Sequence, residues 1–123
     1  MIAGGVTSER EAVIALDVRA AGGRPESIQA VLDTGFTEFL ALPRAAIARL
    51  GLRYRGSQRA TLADGSDTDV ATYRAIVEWH GHARAVSVLG IDGGALVGMA
   101  LLQGSRLTMD VVSHGAVQIV PIP

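Results

Sequence analysis

The sequence predicts an all-β fold with one or two short helices, and three observations carry that expectation. Fifteen glycines among 123 residues supply turns at short intervals. Between them lie short apolar runs that alternate with polar residues, the period of a strand with one buried face. Gly22-Gly23 and Asp64-Gly65 sit between two such runs each and are strong hairpin signals. A chain of this length is expected to form one domain, residues 1–123, with a modest core. Aromatics are 4% of residues against 49% hydrophobic, so that core must be built from Val, Ile, Leu and Ala.

Taken in order, residues 11–21 alternate, with Ala12, Ile14, Leu16 and Val18 on one side and Glu11, Asp17 and Arg19 on the other. This is a half-buried strand. After Gly22-Gly23, residues 27–32 return as its hairpin partner, and residues 37–42 read as another short strand. Pro43 marks a helix start, residues 44–50 suit a short helix, and Gly51 closes it. Two long strands, residues 53–62 and 67–79, meet at Asp64-Gly65. Near that turn the arms are polar on both faces, so the tip is expected to project into solvent. Farther along, Ala71, Tyr73, Ala75, Val77 and Trp79 form an apolar face that returns the hairpin to the body. Residues 83–89 read as a strand, Asp92-Gly93-Gly94 as a turn, and Leu96-Val97-Gly98 as a very short buried strand. One or two helical turns over residues 99–103 end at Gly104. Residues 107–112 and 116–120 close the chain as a hairpin around Ser113-His114-Gly115.

Composition excludes several function classes. The net charge is -1 and arginines are scattered, so no nucleic-acid footprint is expected. The chain contains no lysine, which removes Schiff-base and Walker-type chemistry, and no cysteine, which removes a thiol nucleophile, disulfides and a cysteine metal cage. No apolar run is long enough to cross a bilayer, and the first ten residues lack the pattern of a secretory signal. A cytoplasmic protein without membrane contact is the expectation. His80-Gly81-His82 could bring two imidazoles together, but no third or fourth ligand is evident, and no metal or cofactor is expected. Asp110 and His114 lack the nucleophile elbow that a triad with Ser or Thr would need.

The chemistry points instead to residues 30–43, where an apolar run ends in Asp33-Thr34-Gly35 and a second apolar run follows at once. A carboxylate so flanked either bears a desolvation cost or shares its charge with something. Gly35 permits a sharp turn and Thr34 can bond to nearby main chain. Taken alone, the tripeptide reads as an Asx-turn at a strand corner. Its context adds the Ala63-Asp64-Gly65-Ser66 hairpin tip and the segment 96–102, which runs Leu-Val-Gly-Met-Ala-Leu-Leu.

This ordered set resembles the retropepsin-like aspartic proteases, and within them the small bacterial and archaeal single-domain members. The resemblance implies a closed β-barrel, an acid-protease half, with a flap hairpin. It implies a catalytic loop of Asp33, Thr34 and Gly35, and substrate contacts from Phe36, Ala63, Asp64, Gly65 and Ser66. Leu96, Val97 and Gly98 would form the supporting loop. Aspartic proteolysis uses two carboxylates that share one proton, and this chain has one such loop. A homodimer that pairs two copies of Asp33 is therefore implied, acting on an extended peptide or unfolded protein as an endopeptidase. Phe36-Thr37 stands where viral members commonly carry a small residue and an acid, and Met99 where they carry an arginine that braces the dimer. Phe36 suits the bacterial branch, and the dimer must be held in another way than the viral ion network. The alternative function is a non-catalytic dimeric peptide-binding or assembly module on the same fold.

Overall fold

The computed structural model describes residues 1–61 and 64–123. Alternation in the sequence becomes a pair of antiparallel strands, β1 (Ile2–Val6) apart, at β2 (Ala12–Arg19) and β3 (Glu26–Leu32). Val13 lies opposite Val31 at one end of this hairpin and Val18 opposite Glu26 at the other. Ala12, Ile14, Leu16 and Val18 are all buried, as their spacing requires. Next come β4 (Leu40–Pro43) and α1 (Arg44–Leu50), whose end is set by Gly51 at a φ of 66°. The long meander β5 (Arg53–Thr61), β6 (Asp67–Trp79) and β7 (His82–Ile91) follows. The chain then forms β8 (Leu96–Val97), α2 (Met99–Leu102), β9 (Ser105–Met109) and β10 (Ala116–Pro121).

Closure comes from β2 and β6. Val18 pairs with Val77 and Arg19 with Ile76, which joins the two ends of the run β6-β7-β4-β8-β3-β2. A closed six-stranded barrel results, with β5 attached outside β6 and β1, β10 and β9 extending from β2. Closure removes most of the free strand edges that an open sheet would present. The interior is aliphatic: Ile14, Val18, Leu40, Leu42, Val77, Val88, Val97 and Leu101 are almost wholly enclosed. Trp79 is the one large aromatic in the buried set. Among the described residues no helix is long and apolar enough to cross a membrane.

Four strand assignments differ from the sequence reading. The first ten residues carry β1, which pairs with both β2 and β10. Gly4 and Gly5 conceal its alternation, and a Cβ at Gly4 would collide with the carbonyl oxygen of Val13. Residues 37–39 are irregular, and the strand expected over 37–42 starts only at Leu40. The carbonyls of Glu38 and Phe39 instead accept from the N–H groups of Ala100 and Gly98. Strand β7 runs on to Ile91 because β4 pairs alongside it in parallel through Pro43. Finally, β9 covers residues 105–109, two earlier than expected, and Val111 and Val112 lie exposed beyond it.

Candidate active site

Asp33 is the first residue past β3, and its position is fixed by main chain. Its N–H donates to the Val97 carbonyl at 2.9 Å, continuing the parallel β3–β8 pairing by one residue. The Asp33 carbonyl accepts from the Phe36 N–H at 3.1 Å, and the carboxylate Oδ1 accepts from the Gly35 N–H at 3.0 Å. These two bonds make the tight turn that Asp-Thr-Gly predicts. Asp33 is half-buried, while Thr34 and Gly35 are exposed. One carboxylate oxygen is thus oriented by the turn at the mouth of the barrel.

The segment 96–98 braces that turn. Met99 N–H donates to the Phe36 carbonyl at 2.8 Å, Gly98 N–H to that of Phe39 at 3.1 Å, and Ala100 N–H to that of Glu38 at 3.3 Å. Val97 is wholly enclosed and Leu96 half-buried, so the brace is anchored in the core. Gly98 is the tightest point. A Cβ there would stand 2.7 Å from the Phe36 carbonyl oxygen and 2.6 Å from the Phe36 ring, and would overlap the Glu38 carbonyl outright. Only glycine admits this approach of two backbones. The structure therefore brings Asp33, Phe36, Leu96, Val97 and Gly98 into one hydrogen-bonded unit.

The β5–β6 hairpin is less tightly joined. At its tip Asp64 Oδ1 accepts from the Ser66 hydroxyl at 2.6 Å and the Ser66 N–H at 2.9 Å, around Gly65 at a φ of 86°. The Ser66 hydroxyl first, and its backbone N–H second, hold the Asp64 carboxyl below the usual carboxylate range. The remaining tip residue expected to touch substrate, Ala63, lies outside the described residues. Among the described residues the tip makes no hydrogen bond to the Asp33 turn. The link lies lower down, where Gln58 Nε2 donates to Glu38 Oε1 at 3.5 Å. Glu38 escaped the sequence reading. Its signal was an acid, beside Thr37, between Phe36 and the apolar run that starts at Phe39.

The other titratable residues serve elsewhere. His80 is partly buried and its Nε2 lies 2.8 Å from the Ser105 hydroxyl, so it links the β6–β7 turn to β9. Burial pushes its pKa below the ordinary imidazole value. No cluster of three or more His, Cys, Asp or Glu suited to a metal occurs among the described residues. Asp110 is exposed and lies just past β9.

No family model matches the sequence, and no curated protein matches it. Solved structures do. A retropepsin-like aspartic protease from Rickettsia conorii superposes with a TM-score of 0.61, covering 99% of this chain and 91% of that one at 14% identity. The EIAV protease complexed with the inhibitor HBY-793 superposes with a TM-score of 0.64, covering 78% of this chain and 88% of that one at 17% identity. The chain has the retropepsin-like fold. Within that fold the Asp33 turn and its Gly98 brace occupy the junction of β3, β8 and α2. Low identity makes this a likeness of architecture, so the chemistry has to rest on the residues themselves.

Proposed function

We propose that the protein is an aspartic endopeptidase that acts as a homodimer. The observation that carries this reading is the Asp33 turn: a carboxylate oriented by the Gly35 N–H, on a loop braced through Gly98, in a retropepsin-like fold. Two such loops meeting on a two-fold axis would bring two Asp33 carboxylates together, where like charges prevent both from ionising. The ionised carboxylate takes a proton from a water held between the pair. The protonated one hydrogen-bonds the scissile carbonyl as the water oxygen attacks its carbon. The tetrahedral intermediate collapses as the amide nitrogen is protonated and the C–N bond breaks.

Thr34 is assigned to bonding the opposing loop, and exposed Gly35 to close approach of substrate backbone. Phe36 is assigned to substrate contact and, as the residue after Asp-Thr-Gly, suits the small bacterial and archaeal single-domain members. Ala63, Asp64, Gly65 and Ser66 act as a flap that closes over an extended peptide and excludes water. The peptide is held mainly by main-chain bonds, with side pockets setting preference.

The test is cleavage of an unfolded protein across pH by the wild type and by Asp33→Asn. The wild type is expected to lose activity as pH rises past the second ionisation of the pair, because the reaction needs one shared proton. Asp33→Asn should lose about 10³-fold or more while remaining folded and dimeric. Full activity in the variant overturns the proposal. A dimer that cleaves nothing in either form supports the non-catalytic peptide-binding module instead.

A further inference from the structure

A second concave site lies at the far end of the β2–β3 hairpin from Asp33. Asp33 follows β3 beyond the Val13–Val31 pairing, whereas this cavity begins at Ala20, beyond the Val18–Glu26 pairing. Its volume is about 360 Å³, in the range of small-molecule pockets. Three arginines, Arg53, Arg55 and Arg74, line it together with the apolar Ala20, Ile76 and Ala85.

All three arginines are solvent-exposed, and their arrangement gathers like charge at one place. Arg53 and Arg74 stand directly opposite each other in the β5–β6 register, an arrangement of like charges that destabilises a sheet. The register slips between Tyr54 and Gly56, so Arg55 is the extra residue of a bulge, with Gly56 at a φ of 117°. Bulges re-aim side chains, and this one adds a third guanidinium to a pair that already repels. Elsewhere Arg44 pairs with Asp92, Arg49 with Glu26, and Arg59 with Asp67 and Asp69, while Arg84 lies over the Phe39 ring and Arg10, Arg19, Arg24 and Arg106 make no ion pair among the described residues. Among the described residues none of the three cavity arginines pairs with a carboxylate. The acids Asp17 and Glu78 line, with Arg19, an adjoining depression that shares Ile76 with the cavity.

We infer that this cavity binds a phosphorylated small molecule with a compact apolar body, its phosphate held by Arg53, Arg55 and Arg74. Three planar guanidiniums offer more donors than one carboxylate can accept, and they match the charge and the three outer oxygens of a phosphate monoester. The alanines and Ile76 leave room and apolar surface for the rest of the ligand. This site stands independently of the Asp33 chemistry.

The test uses phenyl phosphate, inorganic phosphate and chloride at matched ionic strength, followed by titration calorimetry and thermal melting. The wild type should bind phenyl phosphate more tightly than inorganic phosphate, and its melting midpoint should rise beyond any effect of chloride. Arg53→Gln/Arg74→Gln should bind phenyl phosphate at least tenfold more weakly, yet melt no lower without ligand, because the removed charges repelled each other. Arg55→Gln, at the residue the bulge leaves outside the strand pairing, provides a second loss of binding that does not depend on the double variant folding. Asp33→Asn should bind as the wild type does. Binding no stronger than chloride gives, equal affinity for the two phosphates, or unimpaired binding in the arginine variants overturns the assignment.

Discussion

Asp33, Gly35 and Gly98 show how much of the site a few residues decide. The Asp33 turn needs only the Oδ1 bond to the Gly35 N–H and the main-chain bond to Phe36, both local in sequence and so legible there. The need for glycine at 98 is set by carbonyls sixty residues earlier, at Phe36 and Glu38, and the resemblance alone pointed to it. Gly98→Ala must push two backbones apart, and should cost roughly 1–3 kcal/mol of stability, as overpacking does. The Asp33 turn should be displaced with it. Gly93→Ala is the matched control: nothing lies within 4 Å of its Cβ position and its φ is not positive, so it should be neutral or stabilise by up to about 1 kcal/mol. Urea unfolding of both variants checks this, and equal midpoints would remove the brace from the argument. Glu38 was illegible for the opposite reason, since its partner Gln58 lies on a strand whose approach no local pattern encodes.

At the scale of elements, strands with one buried face were legible and strands held only by their neighbours were not. The β6 alternation gave its bounds directly, whereas β1 was hidden by two glycines and exists because β2 and β10 flank it. Residues 37–39 look like strand by composition, but no strand pairs with them, and the Glu38 and Phe39 carbonyls accept from Ala100 and Gly98. The same distinction predicts dynamics. The outer β5–β6 arms bury no residue fully, with Gln58, Ala60 and Val70 half-buried and Arg59, Thr61 and residues 67–69 exposed, while β3 and β4 border the core. Hydrogen exchange should therefore open amides 58–61 and 67–70 well before those of Leu32, Leu40, Ala41 and Leu42. Equal protection would count against a flap. A second element-level contact is the Glu26–Arg49 ion pair, which joins the start of β3 to the end of α1 with Arg49 Nε 2.8 Å from Glu26 Oε1. Hydrogen bonds from Arg49 first, and its charge besides, hold Glu26 below the usual carboxylate range. The pair's contribution is therefore complete above the ordinary carboxylate pKa and is lost as pH falls through the lowered value. Glu26→Gln should melt below the wild type at neutral pH, and the gap should close in acid and in high salt. A gap that persists in acid would mean the contact is not electrostatic.

For the whole molecule the deciding fact is arithmetic: one Asp-Thr-Gly loop per chain and a mechanism that needs two carboxylates. Among the described residues a single barrel closes through β2 and β6 and carries one such loop. If the catalytic reading holds, activity must depend on association. Specific activity should then fall on dilution, in step with the loss of dimer seen by sedimentation equilibrium. A stricter consequence follows from mixing. When equal amounts of wild type and Asp33→Asn exchange subunits freely, half of the wild-type chains fall into mixed dimers that carry one carboxylate and one amide. Such dimers lack the shared proton, so total activity should drop to about half that of the wild type alone. Unchanged activity after exchange, verified by mixed dimers carrying two distinct labels, would mean that one Asp33 suffices and that the paired-carboxylate mechanism is wrong. A monomer that retains peptidase activity would have the same force.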